Sequence, residues 1–199
     1  MRRWEEYYKP LGYFDSWQPI PIVLRPKSKG YLLLRSSDPY DKPLIYANYF
    51  KEKEDLDIMI EGMKIGLALS KTEAFQKFDS RFYDKPFPGC KHLKLWTDEY
   101  WGCFLRHYST TLYHQAGTCK MGVLARDSMA VVDPELRVHG ISNLRVVDAS
   151  IMPNVVSGNT NAPVVTKMSS FFNSRLTFHS QIMIGEKASD LIKNTWNSA

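Results

Sequence analysis

The spacing of apolar residues changes several times along the 199-residue chain. From Glu52 to Ser70 they recur every three or four positions, which predicts a helix with one buried face. Before that segment, the short apolar runs from Ile20 to Leu24 and from Tyr31 to Arg35 flank a basic turn that contains a glycine, and this pattern predicts two paired strands. Leu44 to Tyr49 predicts a further strand.

Helical and strand patterns alternate in the rest of the chain. Thr72 to Phe78 predicts a short helix, and Thr97 followed by two acids is typical of the start of a longer helix that ends near His107. A terminal helix is predicted from Ile182 to Lys193. The three short strands predicted before it are Val131 to Pro134, Leu136 to Gly140 and Leu144 to Asp148. This order of elements predicts an α+β fold.

Gly62 and Gly66 lie four residues apart within the first predicted helix. Such a G-x-x-x-G pair allows another segment to approach a helix closely, and it also occurs in membrane helices. Because this helix carries many charges, the pair favours close packing over dimerisation in a membrane. No apolar run reaches the roughly 18 residues that a membrane span requires. The charged N-terminal residues also lack the apolar stretch of a signal peptide.

The basic character of the chain does not predict a nucleic-acid partner. The formal net charge is +5 and the pI is near 9.0. The basic residues are dispersed, however, and the longest cluster, Arg25 to Lys29, has the composition of a solvated turn between strands.

The chain has three cysteines, an odd number that leaves the redox compartment open. Cys103, His107, His114 and Cys119 are all potential zinc ligands, but their spacing matches no common zinc finger, so no metal is assigned. The alternative is a disulfide between Cys90 and Cys103 in a secreted chain, which requires that their Cα atoms lie close together.

Three polar clusters are candidates for a functional site. His114 precedes a turn of small residues in YHQAGTCKMG, where a histidine is either a general base or a structural residue. Asp148 and Ala149 follow an apolar run, where small residues either let the backbone approach a ligand or simply end a strand. The third cluster, SGNTNAP at residues 157–163, either presents amides and a helix N-terminus to partial negative charge or serves as a helix cap.

Four motifs occur in a fixed order: YHQAGTCKMG, AVVDPELRVHGISNLRVVDASIMP, VSGNTNAP and IMIGEKASDLIK. Together they resemble the C-terminal part of the glucose-methanol-choline (GMC) oxidoreductase family, and most of all its insect FAD-dependent glucose dehydrogenase-like branch. The upstream segment LRPKSKGYLLLRSSDPYDKPLIYANYF resembles the same branch, so the similarity covers most of the chain.

The resemblance implies the chemistry of the site. In that family FAD takes a hydride from a CH–OH carbon, a histidine of the YH-x-x-GT motif takes up the hydroxyl proton, and a later His or Asn holds the alcohol oxygen. By position these catalytic roles fall on His114 and Asn159. A neutral imidazole can accept the proton, and an Asn amide can donate to a developing alkoxide. The residues that the match implies for FAD binding are Asp148, Ala149, Asn161, Ala162 and Pro163.

The resemblance also implies the domain organisation. Residues 1–106 are expected to form the remainder of a substrate-binding domain, with an antiparallel sheet and helices. Residues 107–199 are expected to form the C-terminal piece of a Rossmann-like FAD domain. The implied substrate is a small alcohol or sugar, while the electron acceptor is not implied. Relatives in the insect branch are often secreted, which makes an extracellular location one expectation.

The sequence lacks the G-x-G-x-x-G segment with which the family's cofactor domain opens. We therefore expect the chain to be the C-terminal fragment of a longer enzyme, and to bind FAD weakly or not at all by itself. Exposed apolar faces are expected to promote self-association. The alternative interpretation is a non-catalytic remnant or binding module.

Residues 165–181, VTKMSSFFNSRLTFHSQ, separate the NAP motif from IMIGEKASDLIK. The resemblance implies that this segment has no counterpart in the family, where the two motifs follow each other almost directly. We interpret them as an atypical insert, and our hypothesis for its origin is a retained short intron or a mis-called exon boundary. Two arrangements are open: the insert replaces the buried helix, or it loops out while the original helix docks. We expect a helix that enters the insert, a break near Asn173 to His179, and then a second helix.

Overall fold

The computed structural model describes residues 4–165 and 184–197. The chain separates into two compact units. Unit 1 comprises Met1–Val23 and Lys27–Thr110, and unit 2 comprises Leu24–Pro26 and Thr111–Ala199. The described residues form helices and one small antiparallel sheet, in agreement with the α+β prediction. The assignment of the units to a substrate-binding domain and a Rossmann-like FAD domain stays a prediction.

The described part of unit 1, which begins at residue 4, contains the sheet and three α-helices. Its elements are helical turns at Trp4–Tyr8 and Lys9–Tyr13, strands β1 (Tyr31–Leu33) and β2 (Leu44–Tyr46), helices α1 (Lys53–Ser70) and α2 (Glu73–Gln76), a 3-10 turn at Pro88–Cys90, and helix α3 (Asp98–Tyr108). The prediction of α1 and α3 is confirmed. At the start of α3, the Thr97 hydroxyl accepts a hydrogen bond from the Tyr100 amide at 3.3 Å, as expected of an N-cap.

The pairing of the strands differs from the prediction. β1 pairs with β2, with Tyr31 opposite Tyr46 in an antiparallel register. The apolar pattern of residues 20–24 predicts the partner strand, but these residues form no strand. The reason is proline: Pro19 and Pro21 have no amide donor for a ladder, and both lie against α1 instead.

The G-x-x-x-G pair of α1 provides the surface against which these prolines pack. A Cβ atom at Gly62 would lie 2.6 Å from Cβ of Pro21, and one at Gly66 would lie 2.9 Å from Cγ of Pro19. The interpretation of the pair as a close-packing site is therefore confirmed. Among the helices of the described ranges, none is long and apolar enough to cross a membrane.

The core of unit 1 is largely aromatic and lies between α1 and α3. Its buried residues are Tyr7, Phe50, Leu56, Ile60, Met63, Phe87, Cys90, Tyr100, Trp101, Phe104 and Leu105. Beside this core, the buried carboxylate of Asp55 accepts hydrogen bonds from the backbone amides of Lys27 (2.8 Å) and Ser28 (2.7 Å). Burial by itself raises the pKa of Asp55, but these hydrogen bonds, together with one from the Ser28 side chain and the charge of Lys27, outweigh it and hold the pKa below its ordinary value. Asp55 thus ties α1 to the segment that precedes β1.

Unit 2 contains little regular structure in its first half. Among its described residues, the elements are a 3-10 turn at Ala149–Ile151, α4 (Asn161–Val165) and α5 (Ile184–Asn197). The prediction of three strands in residues 131–148 is wrong, because these segments form only isolated bridges, such as that between Val132 and Val138. The carboxylate of Asp133 explains this, because it accepts hydrogen bonds from the amides of Glu135 (2.8 Å) and Arg137 (3.0 Å) and folds the run into a tight turn.

The terminal helix docks on the core of unit 2. Ile184 and Ala188 of α5 are buried together with Val132, and a Cβ atom at Gly185 would lie 3.3 Å from the carbonyl oxygen of Val164. The helix continues to Asn197, four residues beyond the predicted end at Lys193. The predicted break near Asn173 to His179, and the insert apart from Val165, lie outside the described residues.

Candidate functional site

Two residues that are far apart in the sequence meet in unit 2. Nε2 of His114 lies 3.1 Å from Oδ1 of Asn159. On the other side of the same ring, Nδ1 lies 3.1 Å from Oγ1 of Thr160. Two consecutive side chains therefore hold one imidazole, each through a different ring nitrogen.

The backbone around His114 is unusual for its residue type. Tyr113 has a φ of 62°, a left-handed conformation that a bulky residue rarely adopts. Its amide donates a hydrogen bond to Oγ1 of Thr111 at 2.9 Å, and Nε2 of Gln115 donates to the same oxygen at 2.8 Å. This local network holds the strained turn that presents His114.

The segment after His114 is attached to the segment around Asp148. The amide of Cys119 donates to the carbonyl oxygen of Ser150 at 2.9 Å, and the amide of Met121 donates to that of Ile151 at 2.8 Å. Gly117 has a φ of 91°, and a Cβ atom there would lie 3.1 Å from the carbonyl oxygen of Met152. A glycine is needed at this turn because it combines a left-handed conformation with a close approach of two backbones.

The other side of the site is held by the start of α4. Thr160 is only 8% exposed and immediately precedes Asn161, the first residue of the helix. Pro163 is buried, and Val164 packs against the core cluster of unit 2. Asn159, one residue before Thr160, is exposed. The anchored Thr160 therefore fixes the position from which Asn159 reaches the solvent-facing edge of the ring.

The geometry permits proton transfer at His114. The ring is half-buried, and its neighbour Tyr113 is 82% exposed, so this edge of the unit faces solvent. When an imidazole takes up a proton, both of its nitrogens become donors. Here each nitrogen already faces an oxygen atom, so the arrangement provides an acceptor for both N–H groups of the protonated ring.

The residues predicted to contact a cofactor have differing exposure. Asp148 is exposed, and its Oδ1 accepts a hydrogen bond from the Ser150 amide at 2.7 Å, which caps the 3-10 turn. Ala149 is half-buried within that turn, and Asn161 is exposed at the start of α4. Ala162 and the buried Pro163 follow in the first turn of α4. Their role in FAD binding stays a prediction.

The bonding state of the cysteines bears on whether Cys103 can be a zinc ligand. Cys90 and Cys103 form a disulfide, with their Cα atoms 6.0 Å apart. A ring nitrogen of His107 and both sulfur atoms lie within 4.8 Å of one another, but each sulfur is bonded to the other. Cys103 is therefore not available as a thiolate ligand for a metal ion.

Thr160 is the residue of this site that no sequence motif identifies. In SGNTNAP its hydroxyl resembles an ordinary helix cap, and only the fold brings it to Nδ1 of His114. Its position directly after Asn159 was the one available signal.

Comparison with known families agrees with the motifs. The family model described as GMC oxidoreductase matches residues 26–166. Glucose dehydrogenase (FAD, quinone) from Drosophila pseudoobscura pseudoobscura is 42% identical over 181 residues, which are 91% of this chain and 26% of that protein. Alcohol dehydrogenase (acceptor) from Pseudomonas putida is 44% identical over 142 residues, which are 71% of this chain and 24% of that protein.

Solved structures show the same relationship. A variant of formate oxidase from Aspergillus oryzae RIB40 superposes with a TM-score of 0.64 at 28% identity, covering 89% of this chain and 26% of the oxidase. The chain thus spans about a quarter of the length of the relatives that it matches.

Proposed function

The chain belongs to the GMC oxidoreductase family, and from this premise we propose that it carries the proton-accepting part of an FAD-dependent oxidoreductase acting on CH–OH groups of alcohols or sugars. In this proposal His114 accepts the hydroxyl proton and Asn159 holds the alcohol oxygen. The observation that carries the proposal is the 3.1 Å contact between Nε2 of His114 and Oδ1 of Asn159.

The position of the pair supports these roles. Asn159 is exposed, and His114 is half-buried beside it, so a substrate hydroxyl can reach the edge of the ring that carries Nε2. Asn does not titrate, and its amide group can turn either its NH2 or its oxygen to a neighbour. An alcohol oxygen placed between the two side chains would receive a hydrogen bond from Asn159 while its proton moves to His114.

The reaction in this proposal is a two-electron oxidation of the alcohol carbon. The hydroxyl proton goes to Nε2 of His114, the carbon-bound hydrogen leaves with its electron pair, and a carbonyl forms. FAD, when bound, supplies the acceptor for that hydride. This chain's own residues bind and orient the alcohol, and they hold the proton.

The residues present fit a flavin in part. Asp148 is exposed, Ala149 is small, and both are fixed to the His114 segment through the Cys119–Ser150 backbone hydrogen bond. In this proposal Asp148, Ala149, Asn161, Ala162 and Pro163 hold the cofactor near the pair. No G-x-G-x-x-G segment occurs among the 199 residues, so none of them is assigned to the pyrophosphate.

A dye-reduction assay with added FAD and a panel of sugars and alcohols tests the proposal. We expect His114→Ala to abolish the substrate-dependent signal. His92→Ala is the matched control, because His92 is exposed in unit 1 and belongs to no part of the proposed site. Substrate-dependent dye reduction at the same measurable rate in His114→Ala and in the unchanged chain would rule out His114 as the proton acceptor.

A second candidate function is a non-catalytic binding module. The missing glycine-rich segment favours it for this chain in isolation. If it is correct, the purified chain retains no stoichiometric flavin and reduces no dye with any substrate of the panel. Stoichiometric yellow flavin in the purified chain would instead favour the enzyme.

Self-association through apolar surface is also part of the proposal. Large side chains of and beside the two-stranded sheet are exposed, including Leu34 (86%) and Ile45 (70%). Light scattering of the purified chain over a concentration series would measure it, and a constant monomer mass would contradict it.

A further inference from the structure

We propose that Thr160 is a positioning residue that holds Nδ1 of His114 and thereby makes Nε2 the nitrogen that exchanges the substrate proton. This inference rests on the proposed function of His114, and it assigns to Thr160 a role beyond that of a helix cap. Its basis is the 3.1 Å contact between Oγ1 and Nδ1.

The hydroxyl group suits this role because it can reverse the direction of its hydrogen bond. With Oδ1 of Asn159 facing Nε2, as in the structure, Nε2–H donates to Asn159, and Nδ1 accepts a hydrogen bond from the hydroxyl of Thr160. Before Nε2 can accept a proton, the neutral ring must carry its hydrogen on Nδ1. Nδ1–H then donates to Oγ1 of Thr160.

Asn159 can also reverse its hydrogen bond, at Nε2, when the ring hydrogen moves to Nδ1. If its amide turns, the NH2 group donates to the unprotonated Nε2, and Thr160 becomes the acceptor at Nδ1. After the proton has arrived at Nε2, both ring nitrogens are donors, and both oxygen atoms accept once the Asn159 amide has turned its oxygen back to Nε2. The two side chains therefore satisfy both neutral tautomers of the ring and its protonated form, and the group at position 160 must be able both to donate and to accept, as a hydroxyl does.

The burial of the two side chains explains why Thr160, rather than Asn159, fixes the ring. Thr160 is 8% exposed, so water does not readily replace its hydroxyl at Nδ1. Asn159 is exposed and must move or turn when a substrate arrives. The buried contact is thus constant during the reaction, while the exposed one changes.

The contact is tested by the ¹⁵N resonances of the His114 ring in the whole chain labelled at histidine. The chain has five histidines, and the resonances that disappear in His114→Ala belong to His114. We expect Thr160→Val to move the Nδ1 resonance, because valine keeps the shape of threonine but offers no hydrogen bond. Thr160→Ser should return the resonance to its original position.

Thr110→Val is the matched control, since Thr110 is exposed and lies outside the site. A role of Thr160 in folding alone would alter the other histidine resonances together with that of His114, and serine would not selectively restore Nδ1. An Nδ1 resonance that is the same in Thr160→Val and in the unchanged chain overturns the proposal.

The same variants separate this inference from the proposed function. If the chain reduces dye with FAD, Thr160→Val should lower kcat about tenfold with a smaller change in KM, because it affects the proton acceptor more than substrate binding. If the chain shows no turnover, the proposed function fails in this chain, while the Nδ1 resonance still decides whether Thr160 positions His114.

Discussion

Gly62→Ala should destabilise unit 1, although helix propensity alone predicts the opposite. Replacing a glycine within a helix by alanine stabilises the helix by about 1 kcal/mol. In this structure, however, the new Cβ atom would lie 2.6 Å from Cβ and 3.5 Å from Cγ of Pro21. Carbon atoms pack at about 3.5–4.0 Å, so the proline segment must move by about 1 Å.

Overpacking of this kind costs about 1–3 kcal/mol. The cost exceeds the gain in propensity, and we expect a net loss of about 1 kcal/mol in the free energy of unfolding. Gly102→Ala in α3 is the matched control, because its Cβ atom would meet only Leu56 and Ile60, at ordinary distances of 3.8 and 3.9 Å. That variant should gain up to about 1 kcal/mol, so the two alanines should differ by about 2 kcal/mol.

Denaturant unfolding followed by tryptophan fluorescence measures this difference. Four of the five tryptophans belong to unit 1, and among them Trp101 is buried in its core. The reasoning is refuted if Gly62→Ala raises the midpoint as much as Gly102→Ala does. A double-mutant cycle with Pro21→Gly, which removes the clashing Cβ atom, should also cancel the loss caused by Gly62→Ala.

Two further predictions concern unit 1. Cys103→Ser should lower the free energy of unfolding of unit 1 by about 3 kcal/mol, because the disulfide closes a loop and so restricts the unfolded chain. In the unchanged chain, thiol titration in denaturant should find one reactive thiol before reduction, that of Cys119, and three afterwards. Three reactive thiols before reduction would exclude the Cys90–Cys103 bond. Asp55→Asn should cost about 2 kcal/mol near neutral pH, because one of two amide hydrogen bonds to a charged acceptor is lost. Since the pKa of Asp55 is lowered in the folded state, its contribution is present above the ordinary carboxyl pKa and is lost as the pH falls. Unfolding measured across acidic pH should therefore show a shallower loss of stability for Asp55→Asn, and an identical slope in both proteins would contradict this account.

Local signals in the sequence are sufficient to predict the two longer helices of unit 1, α1 and α3. The spacing of apolar residues predicts α1, and the cap at Thr97 predicts the start of α3, because both depend on residues within one or two turns. Strand partners depend on distant residues. The run from Ile20 to Leu24 has a strand-like composition, but packing of Pro21 on Gly62 removes it from the sheet. The prediction of short strands in unit 2 was also wrong. There, the Asp133 carboxylate accepts hydrogen bonds from backbone amides and turns the chain before a strand ladder can form.

In the candidate site, too, the sequence determined some features and the tertiary structure decided others. Motifs in the sequence identified His114 and Asn159 as a pair through resemblance, and their residue types determined which hydrogen bonds and proton transfers are chemically available. The tertiary structure decided that the two side chains are 3.1 Å apart, and that Thr160 occupies the second nitrogen of the ring. A threonine hydroxyl can serve equally well as a helix cap, a surface group or a histidine partner. Only the fold, by burying Thr160 at the start of α4 against His114, selects among these roles.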